Sequence, residues 1–144
     1  RRKRRASARG ALAKKMKNWV HHIVLSVSDV PISTEFYKKA LEWDIRSSAE
    51  DYTEFTPPDD LYGKDALFCL VKATEEKKDF SSADVGLHHF AFMAESKEEL
   101  KQIEQRMREN GIEMEDDGIT DDGYGGTAIF CKDPDGMVLE FHLR

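Results

Sequence analysis

His21-His22-Ile23-Val24-Leu25 returns 67 residues later as His88-His89-Phe90-Ala91-Phe92, a histidine pair followed by an apolar run. The two stretches stay in step beyond the phrase. Each passes through a helix-like segment to an isoleucine at the same offset, Ile45 and Ile112. Self-similarity at this scale marks a chain built from two copies of one supersecondary unit. With 144 residues the chain has room for one domain made of two such units.

The pattern predicts the same order of elements in each copy. Trp19 to Val27 is rich in β-branched and aromatic residues and reads as a strand. Asp29 offers a helix cap and Pro31 fits the first turn. Ile32, Phe36, Tyr37, Ala40 and Leu41 follow helical spacing. Short strands follow near 43–48, 51–56 and 65–73, the last after a break at Pro57-Pro58-Asp59-Asp60. Residues 74–86 are polar and form the connection between units 18–73 and 87–144. In the second unit Leu87 to Ala94 is a strand. Ser96-Lys97-Glu98-Glu99 is a capping box, and Leu100, Ile103 and Met107 carry a helical stripe that ends at Asn110-Gly111. Ile112–Ile119, Thr127–Lys132 and Met137–Leu143 read as strands, with Asp133-Pro134-Asp135-Gly136 as the turn between the last two. The unit is βαβββ, written twice, and the fold class is α+β.

Charge divides the chain. Residues 1–17 hold nine basic residues and no acidic one, which leaves 13 basic residues against all 28 acidic ones in 18–144, a net of −15. An acidic domain is a poor partner for phosphate backbones, so no nucleic acid is expected on it. The basic segment reads as a disordered extension or a non-native tail, with Met16 as a natural start. No apolar run is long enough for a membrane span. Cys69 and Cys131 sit in apolar runs and read as buried free thiols, which fits a reducing, cytoplasmic setting.

Chemistry concentrates at the repeated phrase and the last strand. Neighbours in a strand face opposite sides, so only one histidine of each pair can face a given cavity. In the last strand Glu140 and His142 share one face, while Leu139, Phe141 and Leu143 take the other. An acid among Val138, Leu139 and Phe141 is costly unless it is paired or bound to a metal. Two histidines and one carboxylate form the facial ligand set of many non-haem metal sites. Satisfied structural histidines and a Glu paired with a cation are the competing account.

The chain resembles the vicinal oxygen chelate superfamily of glyoxalases, fosfomycin-resistance thiol transferases and extradiol dioxygenases. The resemblance covers residues 19–144. It is carried by His22 to Asp29 with Phe36-Tyr37, by Leu87 to Phe92, and by Asp133-Pro134-Asp135-Gly136 leading to Leu139-Glu140-Phe141-His142. It implies two βαβββ modules forming a cupped, partly open β-barrel. It also implies a divalent metal (Mn, Fe, Zn or Ni) held by His22, His89 and Glu140, with His21 and His88 as outer partners. Many members dimerise and some share the site between chains, so a homodimer is expected. The implied function is isomerase or lyase chemistry on a small substrate with vicinal oxygens. Dioxygenase or thiol-transfer chemistry on the same triad is the alternative, as is metal-free binding of a small molecule like that of the bleomycin-resistance proteins.

Departures from the family pattern narrow this. Aligning Asp65–Leu70 with Gly136–Phe141 puts Cys69 where the second unit has Glu140, so a fourth, first-unit acid as in glyoxalase I is missing. Phe130 stands where the fosfomycin transferases place a substrate-binding tyrosine. Glu140 and His142 are candidate proton movers, and Tyr124 and His142 candidate substrate contacts. Asp121 to Gly126 reads as a flap over the cavity or a plain hairpin loop. Arg46 and Lys132 are possible anchors for an anion. Trp19, Tyr52, Phe55, Phe68 and Phe130 line the cup or fill the core.

Overall fold

The computed structural model describes residues 21–58, 67–75 and 80–143. The basic segment 1–17, Trp19 and part of the 74–86 connection lie outside the described residues.

The first unit runs β1 (His22–Val27), α1 (Val30–Leu41), β2 (Asp44–Ser48), β3 (Tyr52–Thr56) and β4 (Leu67–Lys72). The second runs β5 (Phe90–Met93), α2 (Lys97–Glu109), β6 (Thr120–Asp121), β7 (Thr127–Lys132) and β8 (Val138–Leu143). Their sheets have the same topology, β1-β4-β3-β2 and β5-β8-β7-β6, with the first strand of each unit on an edge and parallel to the last. The duplication read from the histidine phrase is therefore a duplication of topology. The two sheets are separate and unclosed, which fits a cup more than a complete barrel.

Local chemistry accounts for the helices. The Asp29 carboxylate accepts the Ile32 N–H at 2.9 Å and caps α1, with proline in its first turn. The Ser96 hydroxyl accepts the Glu99 N–H at 3.1 Å, while the Glu99 carboxylate reaches back to the Glu95 N–H. In α2, Leu100, Ile103 and Met107 are buried, the stripe expected from their spacing.

One core joins the units. Phe68 of β4 lies 4.9 Å ring to ring from Tyr37, 6.1 Å from Phe90 and 6.2 Å from Phe92. Phe55 and Phe68 are core residues. The Asp133–Gly136 turn docks onto the first unit. The buried Tyr37 hydroxyl donates to Asp133 Oδ2 at 2.8 Å, and Ser28 donates its backbone N–H and its hydroxyl to the Asp135 carboxylate. Asp133 Oδ1 also accepts the N–H groups of Asp135 and Met137 and so closes its own turn, in which Gly136 adopts φ +89°.

Some expected boundaries move. Ile112–Ile119 is not a continuous strand: Met114 makes an isolated bridge to Cys131, Glu115–Asp117 then forms a single 3-10 turn, with Asp116 and Asp117 at φ 50° and 58°, and pairing resumes at Thr120–Asp121. Left-handed backbone breaks a strand whatever the apolar spacing around it. Strand β5 begins at Phe90, so His88 and His89 precede it. Cys131 is buried, but Cys69 is only half-buried. No helix among the described residues is long and apolar enough to cross a membrane.

Candidate metal centre

Strand pairing places the repeated residues in equivalent positions. In the first unit Val24 of β1 lies opposite Cys69 of β4; in the second, Ala91 of β5 lies opposite Glu140 of β8. The thiol and the carboxylate thus occupy the same station in the two sheets. Burial, then the nearby Glu54, raises the Cys69 thiol above its ordinary pKa. A thiol held in its protonated form is a poor ligand.

Glu140 is buried at the foot of an open cleft of about 1320 Å³. Its Oε2 lies 3.0 Å from His89 Nε2, and its Oε1 lies 2.9 Å from His142 Nδ1. His89 reaches this position from the segment just before β5. His88 holds its other ring nitrogen, with the two Nδ1 atoms 2.8 Å apart and the rings edge to face. A histidine whose Nδ1 is engaged by a neighbour presents Nε2 in a fixed direction, as metal-binding histidines commonly do. His21 and His22 repeat this arrangement, with Nδ1 atoms 2.9 Å apart.

His22 is exposed and is not among the residues that line this cleft. Among the described residues, the one converging group of three metal-binding side chains is Asp122, Glu140 and His142. His22 instead lies on the outward face of edge strand β1 with Val24, which is 47% exposed, and Ser26.

The cleft is further lined by Tyr124, Phe130 and Lys132. Tyr124 is 90% exposed at the tip of the Gly-rich loop. Lys132 lies within 3.6 Å of Glu115, so its charge is partly answered. Arg46 and Tyr52 are not among the lining residues. Asp122 was not singled out from sequence. Its Oδ1 accepts the Tyr124 and Gly126 N–H groups at 2.7 and 2.9 Å, and its Oδ2 lies 3.3 Å from His142 Nδ1. The readable signal was an Asp followed by closely spaced glycines, a pattern for an acid that caps its own loop.

Comparison with known proteins gives the chain a family. The sequence profile of the Glyoxalase/Bleomycin resistance protein/Dioxygenase superfamily matches residues 19–141. The uncharacterized protein YqjT of Bacillus subtilis is 28% identical over 126 residues, covering 84% of this chain and 95% of that protein. The metallothiol transferase FosB of Staphylococcus saprophyticus is 28% identical over 125 residues, covering 85% of this chain and 75% of that protein. A glyoxylase/bleomycin resistance protein/dioxygenase domain from Frankia sp. EAN1pec superposes with a TM-score of 0.70 at 22% identity, covering 89% of this chain and 98% of that one. With the duplicated βαβββ topology, these matches establish that the chain belongs to the Glyoxalase/Bleomycin resistance protein/Dioxygenase superfamily, the vicinal oxygen chelate family its motifs resemble.

Proposed function

We propose that this chain is a divalent-metal-dependent enzyme acting on a small substrate with vicinal oxygens, by isomerase or lyase chemistry. The observation that carries the reading is the buried Glu140 carboxylate 3.0 Å from His89 Nε2 at the foot of the cleft. One imidazole nitrogen and one carboxylate oxygen suit Mn, Fe, Zn or Ni. A metal bound there would supply Lewis acidity to the substrate's adjacent oxygens.

The third ligand in this reading is His22 of a second copy of the chain. Its exposed position on an edge strand, beside the exposed Val24, makes it available to another molecule and not to its own cleft. The homodimer is then a requirement of the site.

The chain's own residues have distinct tasks. Glu140 and His89 would hold the metal, and His142, held on Glu140 Oε1, lies where it can exchange a proton with a bound substrate. Phe130 and Ala91 form an apolar wall, and Tyr124 offers a phenol at the mouth. The lining carries Glu115, Asp116, Asp121, Asp122, Asp135 and Glu140 against Lys132, so a neutral or cationic substrate is favoured over a phosphonate. That charge balance, with Phe130 in the lining, weighs against thiol transfer to a phosphonate, despite the similarity to FosB.

Metal analysis after reconstitution tests the proposal. Wild type should retain bound Mn²⁺ or Zn²⁺ after gel filtration, and both His22→Ala and His89→Ala should lose an ion. A chain that takes up no metal would instead be a metal-free binding protein. Dioxygen uptake with catechols would move the chemistry to the dioxygenases.

A further inference from the structure

We infer that the outer face of α1, with the groove beside it, is an interface for a second copy of the chain, separate from the β1 edge that carries His22. The groove, of about 810 Å³, lies between α1 and residues 110–115. Phe36, Ile112 and Met114 line it with half-buried apolar surface that continues into the core. Ile32, 58% exposed, stands at its edge beside Pro31. Apolar surface left in water beside a recess favours association.

The repeat shows why this groove is open. Arg106 of α2 reaches Glu42 Oε2 at 2.6 Å and the Ala40 carbonyl at 2.8 Å. Trp43 packs edge to face on Phe92 and Phe68. These contacts tie α2 to the end of α1 and the residues after it. The repeat offset of 67 makes Lys39 the counterpart of Arg106 and Asn110 the counterpart of Trp43. Lys39 makes no ion pair among the described residues. Asn110 donates its side-chain amide to the Arg106 carbonyl of its own helix at 2.9 Å. A short amide stands for an indole, and a lysine for a forked guanidinium, so the corresponding space between α1 and the residues after α2 is not filled.

Shape and charge both point to a copy of the chain as the occupant. A projecting side chain next to a recess fits its own image turned about a two-fold axis. Glu35 and Lys39 are exposed one turn apart on this face of α1, and they do not pair with each other among the described residues. Exposed Glu113 stands on the opposite wall of the groove. Two α1 helices packed antiparallel bring Glu35 of each towards Lys39 of the other, twice about the axis. A ligand of one sign meets its own sign here, whereas a second copy answers both. The second unit offers no such face. The counterpart of Ile32 is Glu99, whose carboxylate accepts the Glu95 N–H at the start of α2. Because α1 and β1 are different elements, the interface does not depend on the proposed function. With both contacts in place the chain assembles as a tetramer with two kinds of two-fold interface.

Sedimentation equilibrium of the full-length chain, with metal content measured on the same samples, tests this. Wild type should associate. Ile32→Asp should halve its mass at the same concentration and leave the ions per chain unchanged. Glu35→Lys sets like charges opposite each other and should weaken association about tenfold or more; adding Lys39→Glu should restore it to within about threefold of wild type. Ile32→Ser replaces Ile32→Asp if the latter lacks a native circular dichroism spectrum. A monomeric wild type, a mass unchanged by Ile32→Asp, or a double variant no stronger than Glu35→Lys overturns the interface. Loss of the ion in Ile32→Asp overturns its independence from the cleft. The His22 reading fails separately, when His22→Ala keeps its ion while Ile32→Asp still halves the mass, and that result supports the α1 interface.

Discussion

Replacing Tyr37 with phenylalanine removes one oxygen from the contact that fastens the two units. The Tyr37 side chain is fully buried, and its hydroxyl donates to Asp133 Oδ2 at 2.8 Å. A hydrogen bond to a charged acceptor contributes about 1.5–3 kcal/mol, and an isosteric ring leaves no large void. The expected loss is about 2 kcal/mol, or roughly 6–8 °C in Tm for a chain of this size. The loss should depend on pH. Burial raises the Asp133 carboxyl above its ordinary 3.8, against hydrogen bonds from Tyr37 and the Met137 and Asp135 N–H groups that pull it down. An acid with a raised folded pKa holds its proton more tightly in the folded state. Asp133 therefore favours the fold at low pH and costs stability as pH rises through its folded pKa. The Tyr37 hydrogen bond offsets that cost only while the carboxylate is ionised. Urea unfolding of wild type and Tyr37→Phe at pH 7.5 and 4.5 measures the difference. The deficit should be largest at pH 7.5 and smaller at 4.5. A deficit under 0.5 kcal/mol, or one that grows on acidification, refutes the argument.

Phe68→Ala removes the ring that meets Tyr37, Phe90 and Phe92, and should cost about 3–5 kcal/mol in urea unfolding. Gly126→Ala should disturb both the cleft and the second sheet, because its Cβ would crowd Asp122 Oδ2, His142 Cε1 and the backbone carbonyl of Leu143; calorimetry should show weaker metal binding together with a clear fall in Tm. Saturating wild type with metal at about 100 times its Kd should add about 2.7 kcal/mol of stability, and Glu140→Gln should abolish that thermal shift.

The repeat was legible because its two halves use the same local chemistry. Asp29 and Ser96 cap the helices as their side chains dictate, and the last strand alternates as written, Leu139 and Phe141 inward and Glu140 towards the cleft. The segment after α2 was less legible: the apolar spacing of Ile112 to Ile119 is compatible with a strand, and the left-handed Asp116 and Asp117 are set by context. Long-range pairs were hidden altogether. Tyr37 and Asp133 are 96 residues apart, and Ser28 and Asp135 are 107 apart. Nothing in a local pattern says that the acids of a turn will fasten the opposite unit. How two units dock is a property of such contacts. The sequence could therefore name His22 and His89 together without saying whether one chain would bring them together.

The two sheets show what duplication left behind. At the same station the second unit has Ala91, Glu140 and Phe130 side by side across three strands, and the first has Val24, Cys69 and Glu54. In the second, a small residue on one flank and an aromatic wall on the other leave a buried carboxylate facing a cleft. In the first, a larger residue flanks a half-buried thiol that burial and Glu54 keep protonated. The first unit therefore has a thiol, not a carboxylate, at the position that Glu140 holds in the second. A single imidazole on an exposed edge strand is a weak metal site by itself. In the proposed dimer its value would lie in completing a site whose carboxylate, Glu140, belongs to the other molecule.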